Sequence, residues 1–465
     1  MGLYDDLKQY VEGDFYPFHM PGHKRNLQSG YLSGLYQIDL TEIDGFDNLH
    51  QPESIILYAQ ERAARLYRSE ETFYLINGST SGILSAIAAV SNGGDTLLIA
   101  RNCHKAVYHA AFLNHLKLEY VFPEVYEEYD IAGAVTAAQI QEKLDRFHAD
   151  RKFAGVVVTS PTYDGICSDI KEIAAVAHKY RIPLIVDQAH GAHFGLHPLF
   201  PENAVCQGAD IVIHSVHKTL AAPTQTALLH KNGSLVDSET LKKYLRIYQS
   251  SSPSYPLMAG IDKAIGIAER EGEKRLSLLL DYRNDLLCAM KKCRFIRICP
   301  DTEPGKLVIS VKGTCMTGRQ LYNVLREDYH LQMEMASGTY VLAILSMMDT
   351  KEGVKRLLKA LCEIDKKLCG SQKESLPIPC LKDGPIKGME LWEGFLGAYE
   401  EEELENAPGR VASEFINLYP PGIPLLVPGE LISRKLVDMV AEYQKEGYAV
   451  QGINEGKIRV LAARQ

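Results

Sequence analysis

The stretch Asp210-Ile-Val-Ile-His-Ser-Val-His-Lys-Thr219 sets four chemically capable side chains directly after an apolar run. Ile211 to Ile213 reads as a core strand, so His214, Ser215, His217 and Lys218 arrive together at the end of a sheet. A lysine in that position, beside hydroxyl and imidazole groups, suits covalent attachment of an aldehyde cofactor. The plainer alternative is a solvated lysine in a turn.

Which reading holds depends on the elements that would position these groups. Residues 72–76 read as a strand, Asn77-Gly-Ser-Thr-Ser-Gly82 as a small-residue turn, and 83–90 as an apolar helix. A strand, a Gly/Ser/Thr turn and a helix form a phosphate cradle: small residues allow close approach, hydroxyls donate, and free N–H groups of the first helical turn face the anion. The turn is not a P-loop, and Ser/Thr-rich helix starts also serve purely as caps. Strands and helices then alternate: strands at 95–100, 118–122, 153–159 and 183–186, and helices at 53–67, 106–116, 136–147 and 170–180. This alternation predicts an α/β fold with a mainly parallel sheet flanked by helices. Ligands of such sheets sit at the carboxyl ends of the strands. His104, Ser160 to Tyr163, Asp187 to His190 and Ser215 to Lys218 all fall at such ends, and so share a rim.

That rim satisfies the needs of pyridoxal 5′-phosphate: a lysine for the aldehyde, a carboxylate to keep the pyridine nitrogen protonated, a flat partner for the ring and donors for the phosphate. Lys218 is the lysine. Asp187 ends a buried strand 31 residues earlier, one unit of the alternation away. His104 can stack on the ring, and Ser79, Thr80, Ser215 and His217 can reach the phosphate. Each also has a structural alternative, Asp187 as a turn cap and His104 as an ordinary histidine. His190, His193 and His197 invite a metal reading, but no spaced glutamate or cysteine pair joins them, so no metal is expected. Nothing local marks Cys103 as an activated thiol.

Around this centre, residues 1–55 read as an arm. Two polar segments, Phe18-His-Met-Pro-Gly-His-Lys-Arg25 and Thr41-Glu-Ile-Asp-Gly-Phe-Asp-Asn-Leu-His50, lie within it. Residues 56–293 read as the cofactor-binding large domain, 294–370 as a smaller α/β domain, 371–387 as a linker and 388–465 as a C-terminal domain. Helices are expected at 241–247, 256–288, 318–327, 351–367, 391–402 and around Ser413, and strands at 307–311 and 339–344. Net charge is −9 over 465 residues, with no basic stripe for nucleic acid. No apolar run is long enough to span a bilayer. The ten cysteines are scattered, without a C-x-x-C pair, which suits reduced thiols of a cytoplasmic protein.

The chain resembles the Orn/Lys/Arg decarboxylase family. The resemblance rests on Pro21-Gly-His23, Asn77-Gly-Ser-Thr-Ser81, Arg101-Asn-Cys-His-Lys105, Asp187-Gln-Ala-His190, Ser215-Val-His-Lys218, Ser251-Ser-Pro-Ser-Tyr255 and Tyr419-Pro-Pro-Gly-Ile-Pro…Pro428-Gly-Glu430, in that order. It implies fold type I, the fold of aspartate aminotransferase. It also implies that Lys218 carries the cofactor, Asp187 pairs with the pyridine nitrogen and His104 stacks. Ser79, Thr80, Ser81, Ala189, His190, Ser215 and His217 would complete the cofactor contacts. Ser251 and Ser252, in a loop similar to one that reaches a neighbouring subunit's cofactor, imply a homodimer with shared sites. With the motifs starting by residue 21, the chain is similar to a compact form lacking the N-terminal wing domain, and His190 stands where larger members often have tryptophan.

The activity so implied is decarboxylation of a basic L-amino acid, arginine first, with lysine and ornithine open, giving CO2 and an amine of polyamine biosynthesis. Lys218 and His217 are candidates for the Cα proton donor. Glu42, Asp44, Asp47 and Glu430 are candidates for the substrate's distal cation. Another reaction of the same fold, aminotransfer or aldol and β-elimination chemistry, stays open, since Arg294 or Arg319 could hold an α-carboxylate. A non-catalytic cofactor-binding protein is the alternative of a different class.

Overall fold

The computed structural model describes residues 2–12, 21, 33–370, 384–418 and 422–462. Residues 18–20 and 22–25 of the first arm segment, most of the expected linker, Cys380 and 419–421 of the proline-rich motif lie outside them. Two compact units make up the chain: Met1–Val90 with Ile170–Ser277, and Ser91–Asp169 with Leu278–Gln465.

The strands form a seven-stranded sheet. Four belong to the first unit, in the order Glu71–Leu75, Ala227–Lys231, Ile211–His214, Leu184–Asp187, and three to the second, in the order Phe153–Thr159, Thr96–Ala100, Lys117–Val121. Leu184–Asp187 and Ile211–His214 pair in parallel, with Asp187 opposite Ile213. Ala227–Lys231 runs antiparallel to both of its neighbours. Two antiparallel steps restore direction, so Glu71–Leu75 points the same way as Ile211–His214. The carboxyl ends of three strands of this unit therefore meet on one edge. In the second unit, Thr96–Ala100 is parallel to both of its neighbours. The sheet is mainly parallel with helices around it, as the alternation predicts.

Leu184–Asp187 and Ile211–His214 are buried at every position, which is why they read as Val/Ile/Leu runs rather than as alternating ones; Ala227–Lys231 is buried throughout as well. The helix Gly78–Val90 begins on Gly78, whose φ of +73° admits only a residue tolerant of the left-handed region. Gly82 seats that helix, because a Cβ there would come within 2.6 Å of the Leu75 side chain. The helix Tyr255–Met290 is the longest of the described elements, and none of the described helices is long and apolar enough to cross a membrane.

The second unit also carries a four-stranded antiparallel sheet, Arg297–Ile298, Lys306–Ser310, Tyr340–Ile344 and Met335–Ala336. The helices Gly318–Glu327 and Lys351–Asp365 are capped by Thr317 and Thr350. The C-terminal region departs from expectation. The helix expected over 391–402 stops at Leu396, and Tyr399–Glu403 is a strand paired antiparallel with Lys457–Leu461. Glu401 stands opposite Arg459 and Glu403 opposite Lys457, so cross-strand charge complementarity outweighs the helix preference of a glutamate run. No helix forms around Ser413. Its neighbours enter a short strand, Ile416–Leu418, which pairs with Ile423–Leu426. The helix Arg434–Lys445 and the strand Ala227–Lys231 are additional to the expected elements.

Candidate active site

In the first unit the three strand ends deliver their polar residues to one place. Ser79, at the start of the helix Gly78–Val90, lies 2.6 Å from the Ser215 hydroxyl. Lys218 Nζ lies 2.9 Å from His190 Nε2. An ammonium only donates, so His190 accepts through Nε2. The two contacts tie the ends of Glu71–Leu75, Leu184–Asp187 and Ile211–His214 into one constellation. Thr80 follows Ser79 in the same first helical turn. The Ser81 hydroxyl turns back to donate to Gly78 O at 2.8 Å.

Asp187 ends its strand almost wholly buried, at 3% exposure. One carboxylate oxygen accepts from Ala189 N at 3.2 Å. Among the described residues no lysine, arginine or histidine forms an ion pair with it. Burial raises its pKa, while the Lys218 charge and the Ala189 N–H work in the opposite direction. A buried carboxylate without a cationic partner is costly unless a ligand supplies one. His217 donates Nδ1–H to Thr226 O at 2.9 Å, which leaves Nε2 as its second functional nitrogen. Burial lowers the His217 pKa, the Thr226 carbonyl raises it and Lys218 lowers it further.

Behind this rim runs a file of buried polar groups. Gln188 Oε1 accepts from Ala204 N at 3.0 Å, which fixes the orientation of that amide. The oxygen, 2.9 Å from His214 Nε2, must therefore accept from it too. His214 Nδ1 is then an acceptor, and His230 Nε2, 3.1 Å away, donates to it. His230 Nδ1 accepts in turn from Thr72 Oγ1 at 2.7 Å. Every tautomer in the file follows from the Ala204 amide. Both imidazoles are neutral: burial holds His214 well below the usual range and His230 down to about 3. The file crosses Ile211–His214, Ala227–Lys231 and Glu71–Leu75, and it fixes Gln188, the residue after Asp187.

The three histidines considered for a metal face different partners. His190 faces Lys218. The His193 ring meets Phe194 and Phe200 edge-on. His197 Nε2 contacts Ser277 Oγ at 3.0 Å.

The carboxylates considered for substrate have distinct surroundings. Asp47 accepts backbone N–H groups from Asn48, Glu53, Ser54 and Ile56, all within 3.1 Å. It thereby caps the helix Ile55–Tyr67 from outside. Asp44 is exposed. Glu42 holds a buried Oε1 without a hydrogen-bond partner among the described residues. Ser251 and Ser252 are exposed, in a loop where His50 Nε2 donates to Ser250 O at 2.7 Å.

In the second unit, His104 caps the helix Lys105–Leu113, its Nδ1 accepting from Ala106 N at 3.2 Å. Beside it, Arg101 is buried and pairs with Glu430 at 3.2 Å. It also donates to Pro424 O at 2.6 Å and Tyr108 Oη at 3.1 Å. Glu430 accepts from Val427 N at 2.8 Å as well.

Sequence reading missed Thr226, His230 and the part played by Gln188. The apolar run around His230, Ala227-Leu-Leu-His-Lys231, was the available signal for a strand that would bring it beside His214.

The first unit's rim fits pyridoxal phosphate. The helix start with Ser79, Thr80 and Ser215 offers phosphate donors, Lys218 offers an amine, and the buried Asp187, without an ion pair among the described residues, suits a cation such as a protonated pyridine nitrogen. With the α/β sheet, this defines a pyridoxal-phosphate enzyme of fold type I. The Orn/Lys/Arg decarboxylase major domain matches residues 1–330, and the C-terminal domain of the same family matches residues 393–450. The chain is 31% identical over 480 residues to the arginine decarboxylase of Bacillus subtilis (strain 168), covering 99% of this chain and 96% of that one. It is 35% identical over 470 residues to the uncharacterized protein YaaO of the same organism, covering 97% and 95%. Among solved structures it superposes on the lysine decarboxylase of Francisella novicida with a TM-score of 0.85 at 20% identity, covering 99% of this chain and 81% of that one. The chain belongs to the Orn/Lys/Arg decarboxylase family, and it is a pyridoxal-phosphate-dependent amino-acid decarboxylase.

Proposed function

We propose that the chain decarboxylates L-arginine to agmatine, working as a homodimer. The observation that carries the site assignment is Asp187, buried, without an ion-pair partner among the described residues and within the field of Lys218, on the same rim as the Ser79–Ser215 pair. The choice of arginine is supported by the 31% identity over nearly the whole chain to a protein named arginine decarboxylase.

Bound pyridoxal phosphate supplies an electron sink for the pair left behind as CO2 departs. Lys218 would hold the cofactor through its amine. Asp187 keeps the proton on the ring nitrogen. Ser79, Thr80 and Ser215 hold the phosphate, and His217 turns Nε2 to it or to Cα. Lys218 and His217 are the groups that move a proton at Cα. His104 covers the ring, and Ala189 and His190 frame Asp187 and Lys218. Ser251 and Ser252 serve the second subunit's site. Asp47 has both carboxylate oxygens engaged by backbone amides, and Glu430 is paired with Arg101 through Oε2 while its Oε1 has no hydrogen-bond partner among the described residues. The guanidinium of arginine is assigned to Glu42, which has no such arginine pair among the described residues, with Asp44 beside it.

The test is product analysis after incubation with arginine, lysine or ornithine in separate reactions. Agmatine formed faster than cadaverine or putrescine is expected. An α-keto acid, formed only when an amino acceptor is present, would overturn decarboxylation in favour of aminotransfer. Cadaverine or putrescine in excess would overturn arginine alone.

A further inference from the structure

Cys315 and Cys369 are far apart in sequence but opposed in space. Thr314 and Gly370 form an antiparallel β-bridge, so one step along that pairing sets Cys315 opposite Cys369. Cys315 N donates to Cys369 O at 2.9 Å, and Cys369 N donates to Cys315 Sγ at 3.4 Å. Opposite residues of an antiparallel pair hold their Cα atoms about 4.5–5.5 Å apart, inside the span a disulfide accepts. Both cysteines are exposed. Two thiols on opposed, hydrogen-bonded backbone, open to solvent, meet the Cα spacing a disulfide requires.

We propose that Cys315 and Cys369 are a reversible thiol–disulfide site that reacts with low-molecular-weight disulfides. The two sulfurs have unequal parts. Hydrogen bonds from the Cys369 side chain and backbone lower the Cys315 pKa, while Cys369 is raised by the same contact. Cys315 is thus the attacking thiolate. Its sulfur attacks one sulfur of the disulfide RSSR, that S–S bond breaks, and RS⁻ leaves. Cys369 then gives its proton to RS⁻ and attacks Cys315 Sγ, releasing the second RS⁻, which takes a proton from water. Two protein thiols are oxidised, and one RSSR is reduced to two RSH. The bond ties the chain just before the helix Gly318–Glu327 to the chain just after Lys351–Asp365.

Cys288 is an exposed cysteine outside the pair and serves as the internal reference. The protein is treated with oxidised glutathione, quenched by alkylation at intervals, and digested without reduction for mass spectrometry. The expected result is a Cys315–Cys369 cross-linked peptide, two hydrogens lighter than its parts, formed about tenfold or more faster than glutathione adds to Cys288 and reversed by dithiothreitol. Cys369→Ser should trap glutathione on Cys315. Cys315→Ser should slow reaction at position 369 to the rate of Cys288. Glutathione on Cys315 with Cys369 still free in the unaltered chain, or equal rates at Cys315 and Cys288, would overturn the proposal.

Discussion

Arg101 and Glu430 form a buried ion pair, Nη2 to Oε2 at 3.2 Å, across 329 residues of chain. Arg101 closes the strand Thr96–Ala100 and holds carbonyls of Pro424 and Leu425, so it fastens the stretch preceding Glu430 to that strand end. Burial raises the Glu430 pKa, and Arg101 and the Val427 N–H act in the opposite direction. Removing one partner leaves the other charged and dry. Glu430→Leu and Arg101→Met should each cost about 3–5 kcal/mol, whereas the double change Arg101→Met with Glu430→Leu should cost less than the sum. Urea unfolding measures this, and strictly additive costs would sink the pairing.

Ser79 and Ser215 share a hydrogen bond of 2.6 Å, and a bound phosphate would draw on both hydroxyls. Either Ser→Ala change should weaken pyridoxal phosphate by about tenfold, near 1.4 kcal/mol. The double change should weaken it by less than the product, because each single change already strips the other serine of its partner. Equilibrium dialysis of the cofactor decides it. Unchanged affinity in both single variants would remove these serines from the phosphate site.

The buried imidazoles make an acid-stability prediction. His230 titrates near 3 in the fold and His214 well below its ordinary value, both through burial, against about 6.5 in an unfolded chain. Between those values the unfolded state binds more protons. Stability is therefore complete above about pH 6.5 and falls as pH drops, by about 1.4 kcal/mol per pH unit for each histidine. In His230→Gln the slope of unfolding free energy between pH 5 and pH 6 should decrease by about one proton. An unchanged slope would show that His230 is protonated in the fold.

How far the site was legible depended on how local its causes are. That Asp187 ends one strand and Lys218 follows another could be read because each comes after an apolar run whose end fixes its position. Ser79 was legible for a similar reason, through the strand and helix on either side of it. The contacts of Asp47 and Glu430 could not be read from the sequence because they are remote: backbone amides up to nine residues on, and an arginine 329 residues away. The same limit hid the pairing of Tyr399–Glu403 with Lys457–Leu461 and the meeting of Cys315 with Cys369. A local pattern shows which residues end an element, while pairing partners are set by topology.

Glu42 offers a sharp test of the substrate reading. Its buried Oε1 lacks a hydrogen-bond partner among the described residues, as a carboxylate awaiting a cation would. Glu42→Gln keeps the shape and removes the charge. If Glu42 holds the guanidinium, KM for arginine should rise on the order of tenfold or more, with a smaller change in kcat, since the contact is made equally before and during bond breaking. The absorption band of the lysine-bound cofactor should be unchanged, because Lys218, Asp187 and Ser79 keep their partners. Steady-state kinetics with the spectrum of the same sample separates the outcomes. A raised KM with an intact band supports the assignment. An unchanged KM passes the role to Asp44, where Asp44→Asn should then raise it instead.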